Sequence, residues 1–420
     1  MPIRRLPVRP QAAELQREAD LLLRAIRDAD PDAIAELREF HPGPIEPAAT
    51  TISDAQLVLA RSYQASSWQR LMEAVRLATA IWSDDIGSVR ALVSESPELL
   101  FEQVLIRTDS NWGPPLTYAA NLGRDEIIRM LYGLGARDLE SAANRAALQG
   151  QIGTARMLYE MAGRPELHLA GPAYTLSAAG TAFMLAVEAP VKDDAGQRLA
   201  PVDVVIETDG RNPEAKHAIL EMYAHHGLEL PDTPVMALHR GRIDLLERHL
   251  ERDPELLNRT FSHREIYPAG MGCQDPIDAT VGTPLDGTTL LHLCVDYDEL
   301  EIGRWLLDRG MDVNVRAAVG RSGFGGYTAL FNTVVSQPNF WMNYGKRGPF
   351  AAPFTELLLE RGAEPNVRAS LWKRLHPGHG DTARHEYRDV TAISWGRRFH
   401  APIFVSEPAI RLIAAAGGVE

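Results

Sequence analysis

Across 420 residues the chain sets 43 Lys and Arg against 56 Asp and Glu, a net charge of −13 at pH 7. Phosphate backbones and anionic membranes are therefore repelled on average, so neither nucleic acid nor membrane is an expected partner. Hydrophobic residues at 45% and charged ones at 24% mark a folded chain, and its two cysteines, Cys273 and Cys294, exclude a disulfide framework.

No apolar run has signal-peptide or bilayer-spanning length, so the expected setting is cytoplasmic. After the basic, Pro-rich opening MPIRRLPVRP, residues 11–40 space Leu15, Leu22, Ile26, Ala33 and Leu37 among dense charge. This predicts two amphipathic helices, the second capped by Asp30 and started by Pro31. Pro42, Gly43, Pro44 and Pro47 form a breaker. Residues 53–75 read as helical again, with Leu57, Leu59, Tyr63, Trp68, Leu71 and Val75 supplying apolar surface. Residues 1–72 are thus expected to form a helical cap over the array expected at 73–420.

A pattern then recurs: a helix with small residues, a tight turn, a second helix, a glycine. Residues 78–100 carry a weak copy, and 115–135, PLTYAANLGRDEIIRMLYGLG, a strong one. Further weak copies are 146–163, 216–227 and 233–257, the last sharing ProGluLeuLeu with the first. Between them, residues 188–211 read as strand, turn, strand around Ala195 and Gly196. Residues 258–284 are a second excursion, rich in Pro and Gly. The clearest copy follows at 286–314, DGTTLLHLCVDYDELEIGRWLLDRGMDVN. There Thr289 suits an N-cap and Gly310 a left-handed helix end. Ile302, Leu306 and Leu307 fall on one face of the second helix, with Glu299, Glu301, Arg304 and Asp308 largely on the other. Residues 326–336, GYTALFNTVVS, open another copy, whose second helix arrives at 354–366 after an insertion at 337–353. The excursion at 369–389 precedes a final degenerate copy at 390–418.

On these residues the chain resembles the ankyrin repeat family, and its leader resembles the helical segment ahead of ankyrin arrays in some bacterial proteins. The resemblance implies an all-α fold: an ankyrin-type α-solenoid of about eight irregular repeats with finger hairpins and an N-terminal cap. It also implies a scaffold that recognises a protein partner through its concave groove and fingers. Residues just past the small pair of each first helix face the groove in such arrays. By that register Trp82, Asn121 and Gln149 are partner-binding candidates, as is Trp341, which either lines the groove edge or packs its own insertion.

The same register brings His239 and Arg240 beside Asp296 and Tyr297, while His263, Glu265 and Tyr267 of the 258–284 excursion are placed to close over them. A base, a carboxylate, a cation and a phenol suit acid–base chemistry on a small polar metabolite, of hydrolase or lyase type. The same set also suits a hydrogen-bonded ladder between repeats, which is what an ordinary polar groove looks like and is the favoured reading. No nucleophile elbow, phosphate loop or HExxH is present. His376, His379, Asp381 and His385 lie in a Pro-Gly turn and read as a solvated loop, so neither metal nor cofactor is expected. Arg361, Arg368, Lys373 and Arg374 read as a solvated basic face.

Overall fold

The computed structural model describes residues 3–208, 210–274, 281–336, 351–375 and 381–420. It forms two compact units, Met1–Gly171 and Pro172–Glu420. No helix among the described residues is long and apolar enough to cross a membrane.

The first unit opens with α1 (Ala12–Arg27), α2 (Pro31–Phe40) and α3 (Ile52–Ser62), which pack on one another and lead into α4 (Trp68–Trp82). Leu15, Leu22, Ile26 and Leu37 are buried as their spacing requires. The Asp30 carboxylate accepts from the amides of Asp32 and Ala33, both at 3.0 Å, with Pro31 in the first helical position. Residues 53–75 are not one helix. The chain turns at Gln64, with φ 65°, and restarts where the Ser67 hydroxyl accepts from the Arg70 amide.

Helix pairs follow: α4 with α5 (Ile86–Glu95), α6 (Pro115–Asn121) with α7 (Asp125–Leu134), and α8 (Leu139–Leu148) with α9 (Ile152–Met161). Helix α6 lies between α4 and α8, and buried Ala119, Ala120, Ala146 and Ala147 let these first helices approach closely. The turn inside a pair needs a residue with positive φ, supplied by Gly123 at 69° and Gly150 at 75°. Asp84 occupies the same place at 60°.

The second unit contains α11 (Ala178–Ala186), α12 (Val202–Glu207) and α13 (Pro213–His225), following a short α10 (Ala170–Tyr174). Here the expected second strand of the 188–211 hairpin is corrected. Among the described residues of this stretch only Lys192 and Arg198 form a bridge, and VDVVIE is helical, because Val202, Val205 and Ile206 fall on one side of a turn and are buried against α13.

Four pairs then stack: α14 (Pro234–His239) with α15 (Ile243–Arg252), α17 (Leu290–Tyr297) with α18 (Leu300–Asp308), α19 (Ala329–Val334) with α20 (Pro353–Glu360), and α21 (Ala392–Arg398) with α22 (Glu407–Ala415). A short α16 (His263–Ile266) sits in the excursion between the first two pairs. The first helices run in the order α14, α17, α19, α21, and α20 lies between α18 and α22. Ile302, Leu306 and Leu307 are buried, and Gly310 ends its pair at φ 93°. Thr289 caps α17 in a capping box with His292. The His292 Nδ1 lies 2.9 Å from the Thr289 hydroxyl, and its Nε2 donates to the Tyr327 carbonyl at 3.1 Å, linking α17 to the next repeat.

Two further expectations are corrected. Residues 369–389 are not an irregular excursion, because β1 (Ala369–Lys373) pairs antiparallel with β2 (His385–Val390). Strand alternation turns Ala369, Leu371 and Lys373 inward, so Lys373 is fully buried and does not belong to a solvated face. Glu299 is likewise buried, since it precedes α18 rather than lying on its outer side.

Candidate recognition surface and the buried polar cluster

Within the second unit, the C-terminal ends of α14 and α17 converge with the start of α13 on a closed set of charged and aromatic side chains. Arg211 is 4% exposed and Asp296 is fully buried. The Arg211 Nη2 donates to Asp296 Oδ2 at 2.9 Å, and its Nε donates to the Asp296 carbonyl at 2.9 Å. The cation also stacks on Tyr297, 4.5 Å from the ring centre. Lys216 approaches the same ring at 4.5 Å and pairs with Glu299 at 2.8 Å, where His217 Nε2 also contacts Oε1 at 2.8 Å.

The Tyr297 hydroxyl donates to the Ile206 carbonyl at 3.1 Å and shares a 3.0 Å hydrogen bond with the Tyr267 hydroxyl. His239 meets Tyr297 edge-on at 4.6 Å. Burial first, then the positive charges of Lys216 and Arg211, holds the His239 imidazole far below its ordinary pKa, so it is neutral. Burial likewise pushes the Tyr267 phenol up. For Lys216 the burial cost outweighs the attraction of Glu299, whereas the attraction of Lys216 and His217 outweighs burial for Glu299, whose pKa is lowered.

The sequence-derived candidates separate in space. His239, Asp296 and Tyr297 join this cluster. Arg240 does not, since its Nε donates to Glu221 at 2.5 Å. Tyr267 closes over Tyr297, whereas exposed Glu265 caps α16 through the Ser262 amide at 2.9 Å and pairs with Arg259. His263 is buried, and its amide donates to Asp286 at 2.7 Å. Sequence reasoning missed Arg211, Lys216 and Glu299. A charged residue in the loop TDGRNP or at a helix start carries no local signal that a partner 83 or 85 residues away will bury it.

Within the first unit, Asn121 is consumed by its own framework. Its amide nitrogen donates to the Thr117 carbonyl at 2.8 Å and its oxygen accepts from Arg145 at 2.9 Å, which leaves little of it to offer a partner. Trp82 is half-buried beneath the Arg9 guanidinium at 5.3 Å, and Gln149 is exposed. Trp341, His376 and His379 lie outside the described residues. His385 contacts Asp381 at 2.8 Å and stacks on His400 at 4.0 Å.

The fingers of the second unit are laced by main-chain hydrogen bonds. The Phe261 amide donates to the Thr288 carbonyl at 2.7 Å, and Ala318 donates to Gly287 at 2.7 Å. Within the next finger Ala317 donates to Tyr327 at 2.9 Å, and Gly325 donates on to Ser370 of β1 at 2.8 Å. Behind them the end of the 258–284 excursion is anchored to the first-helix row. The Thr283 hydroxyl donates to the Val335 carbonyl at 2.8 Å and accepts from Trp395 Nε1 at 3.1 Å. The Tyr327 hydroxyl donates to the Pro284 carbonyl at 2.7 Å.

Rows of helix pairs joined by hydrogen-bonded fingers define a helical-repeat protein. Residues 286–318 match the family model described as ankyrin repeat, and this stretch, comprising α17, α18 and the start of the following finger, is an ankyrin repeat. Among solved structures the chain is similar to the human ASB11 ankyrin repeat domain, at 13% identity over 73% of this chain and 99% of that chain, with a TM-score of 0.26. It is similar also to the ankyrin repeat domain of Bcl-3, at 15% identity over 81% of this chain and 97% of that chain, with a TM-score of 0.20. No curated protein matches the chain.

Proposed function

We propose that this chain is a scaffold that recognises a protein partner through its fingers and the groove beside them, with residues 1–72 capping the helix pairs that follow. The main-chain lacing of successive fingers carries this reading. A surface held in register before contact loses little conformational freedom on binding, so more of the contact energy remains as affinity. A reducing, cytoplasmic setting accords with Cys273 and Cys294, which are buried and in no disulfide.

The competing reading is acid–base catalysis on a small polar metabolite, and it draws on the buried cluster. Neither His239 nitrogen nor Asp296 Oδ1 makes a hydrogen bond of normal geometry. Against it stands closure: His239 and Asp296 are fully buried and Tyr297 is 2% exposed. Hydrogen exchange of the full chain with a captured and purified partner tests the scaffold. Protection is expected over residues 281–288, 315–328 and 385–390. Protection confined to the outward faces of α18, α20 and α22 overturns it.

A further inference from the structure

Charge is distributed unevenly over the fingers. Residues 315–328, 368–375 and 381–390 together hold seven Lys and Arg against three Asp and Glu, on a chain whose net charge is −13. Of the seven cations Lys373 alone is fully buried, so the excess stays at the surface. Two of these cations lie over aromatic rings. The Arg384 guanidinium lies 4.5 Å from the Trp372 ring centre and 5.5 Å from that of Phe324, and Arg388 lies 4.4 Å from Phe324. Both arginines share one carboxylate, Glu386, at 3.1 and 2.9 Å.

The rings they cover also line a recess of about 230 Å³ between the two fingers, walled by Ala318, Val319, Phe324, Leu371 and Trp372. Asp286 reaches this recess too, but one of its oxygens accepts from the His263 amide. Val319 is 64% exposed at the finger tip, and exposed Arg321 follows two residues later.

Resting on the scaffold reading, we propose that the 315–328 finger and the β1–β2 hairpin bind an acidic segment of a partner protein, with one apolar side chain of that segment seated in the recess. Three physical points converge. The recess is of side-chain size and apolar on most of its wall. Its rim carries surplus positive charge, and guanidinium groups form paired, planar hydrogen bonds to carboxylates. The arginines are already ordered by the rings beneath them, so less freedom is lost when a carboxylate arrives. A carboxylate on the segment completes the pairing that Glu386, shared between two cations, leaves incomplete.

The test uses the full chain and a fluorescein-labelled peptide in which one Leu is flanked by Glu residues, read by anisotropy. Binding is expected to weaken by about tenfold or more on R384E combined with R388E, and to fall with added salt. Val319→Asp should weaken it as well, while circular dichroism of all variants stays unchanged. Equal binding of the same peptide with Lys in place of Glu, tighter binding of a single-stranded oligonucleotide, or indifference to the double charge reversal overturns the proposal. Should wild type and the doubly reversed variant then hold a purified protein partner equally well, the scaffold reading stands and only its acidic-segment form is lost. Failure of both proteins to hold any partner removes both readings.

Discussion

Arg211 and Asp296, 85 residues apart in sequence, meet through two hydrogen bonds of 2.9 Å, one to the side chain and one to the carbonyl of the same residue. Removing the cation leaves a carboxylate fully buried without its counter-charge. Arg211→Met is therefore expected to cost about 3–5 kcal/mol in urea denaturation, and combining it with Asp296→Leu should recover much of that loss. A single-variant loss of about 0.5 kcal/mol, typical of surface changes, would show that the pair does not hold the cluster.

Acid should weaken the fold through its buried histidines. His292 is pushed down by burial to about 4 from 6.5, and His239 also lies well below 6.5. As pH falls through 6.5 the unfolded chain takes up protons that the folded chain refuses, so stability is complete above about 6.5 and declines toward 4. For His292 alone the loss near pH 4 is on the order of 3 kcal/mol. His292→Gln should flatten the slope of stability against pH between 6.5 and 4; an unchanged slope counts against the assignment.

The second helix of the clearest repeat offers a register test. Leu306 is 1% exposed, and Leu306→Ala should cost about 2–5 kcal/mol. Asp308 pairs with Arg361 at 2.6 Å on the open surface, so Asp308→Ala should stay within about 1 kcal/mol. Comparable losses would contradict this placement.

Finger geometry depends on Gly325. Its φ is 125°, and an added Cβ would collide with the Ala318 carbonyl oxygen, whereas Gly323, with φ 77°, has open space around it. Gly325→Ala is expected to cost at least about 1 kcal/mol more than Gly323→Ala and to speed exchange of the Ala318 amide. Similar exchange in both variants would leave the lacing without support.

Covering surface is the expected task of the leader. Val58 and Leu59 of α3 are fully buried, and the Tyr118 hydroxyl on α6 donates to the Val8 carbonyl. A chain lacking residues 1–64 keeps α4 whole but uncovers apolar side chains, and should aggregate or lose helicity on circular dichroism. Melting at the same temperature as the full chain would show that the leader is dispensable.

Local chemistry was legible in the sequence. Thr289, Gly310 and the Ile302–Leu306 spacing report on neighbours within a turn or two, and Asp30 with Pro31 states its own cap. Pairings over long separations were not, which is why Arg211 and Lys216 escaped notice and Glu299 was placed on the outer face, while His239, Asp296 and Tyr297 were placed by register. The residues 202–207 misled in the opposite direction. Their β-branched composition favours a strand, but packing against α13 needs a one-sided apolar turn. Lys373 was hidden because its alternation emerges only once β1 has a partner.

The atoms that space the fingers are amides and carbonyls of Phe261, Gly287, Ala318, Gly325 and Ser370, and none of these contacts depends on a side chain at 319–323. Tip residues can therefore be exchanged while the distance between fingers stays fixed. In the proposed scaffold, such a surface would separate where a visitor lands from which visitor is accepted, and new preferences could be written at the tips without rebuilding the frame beneath them.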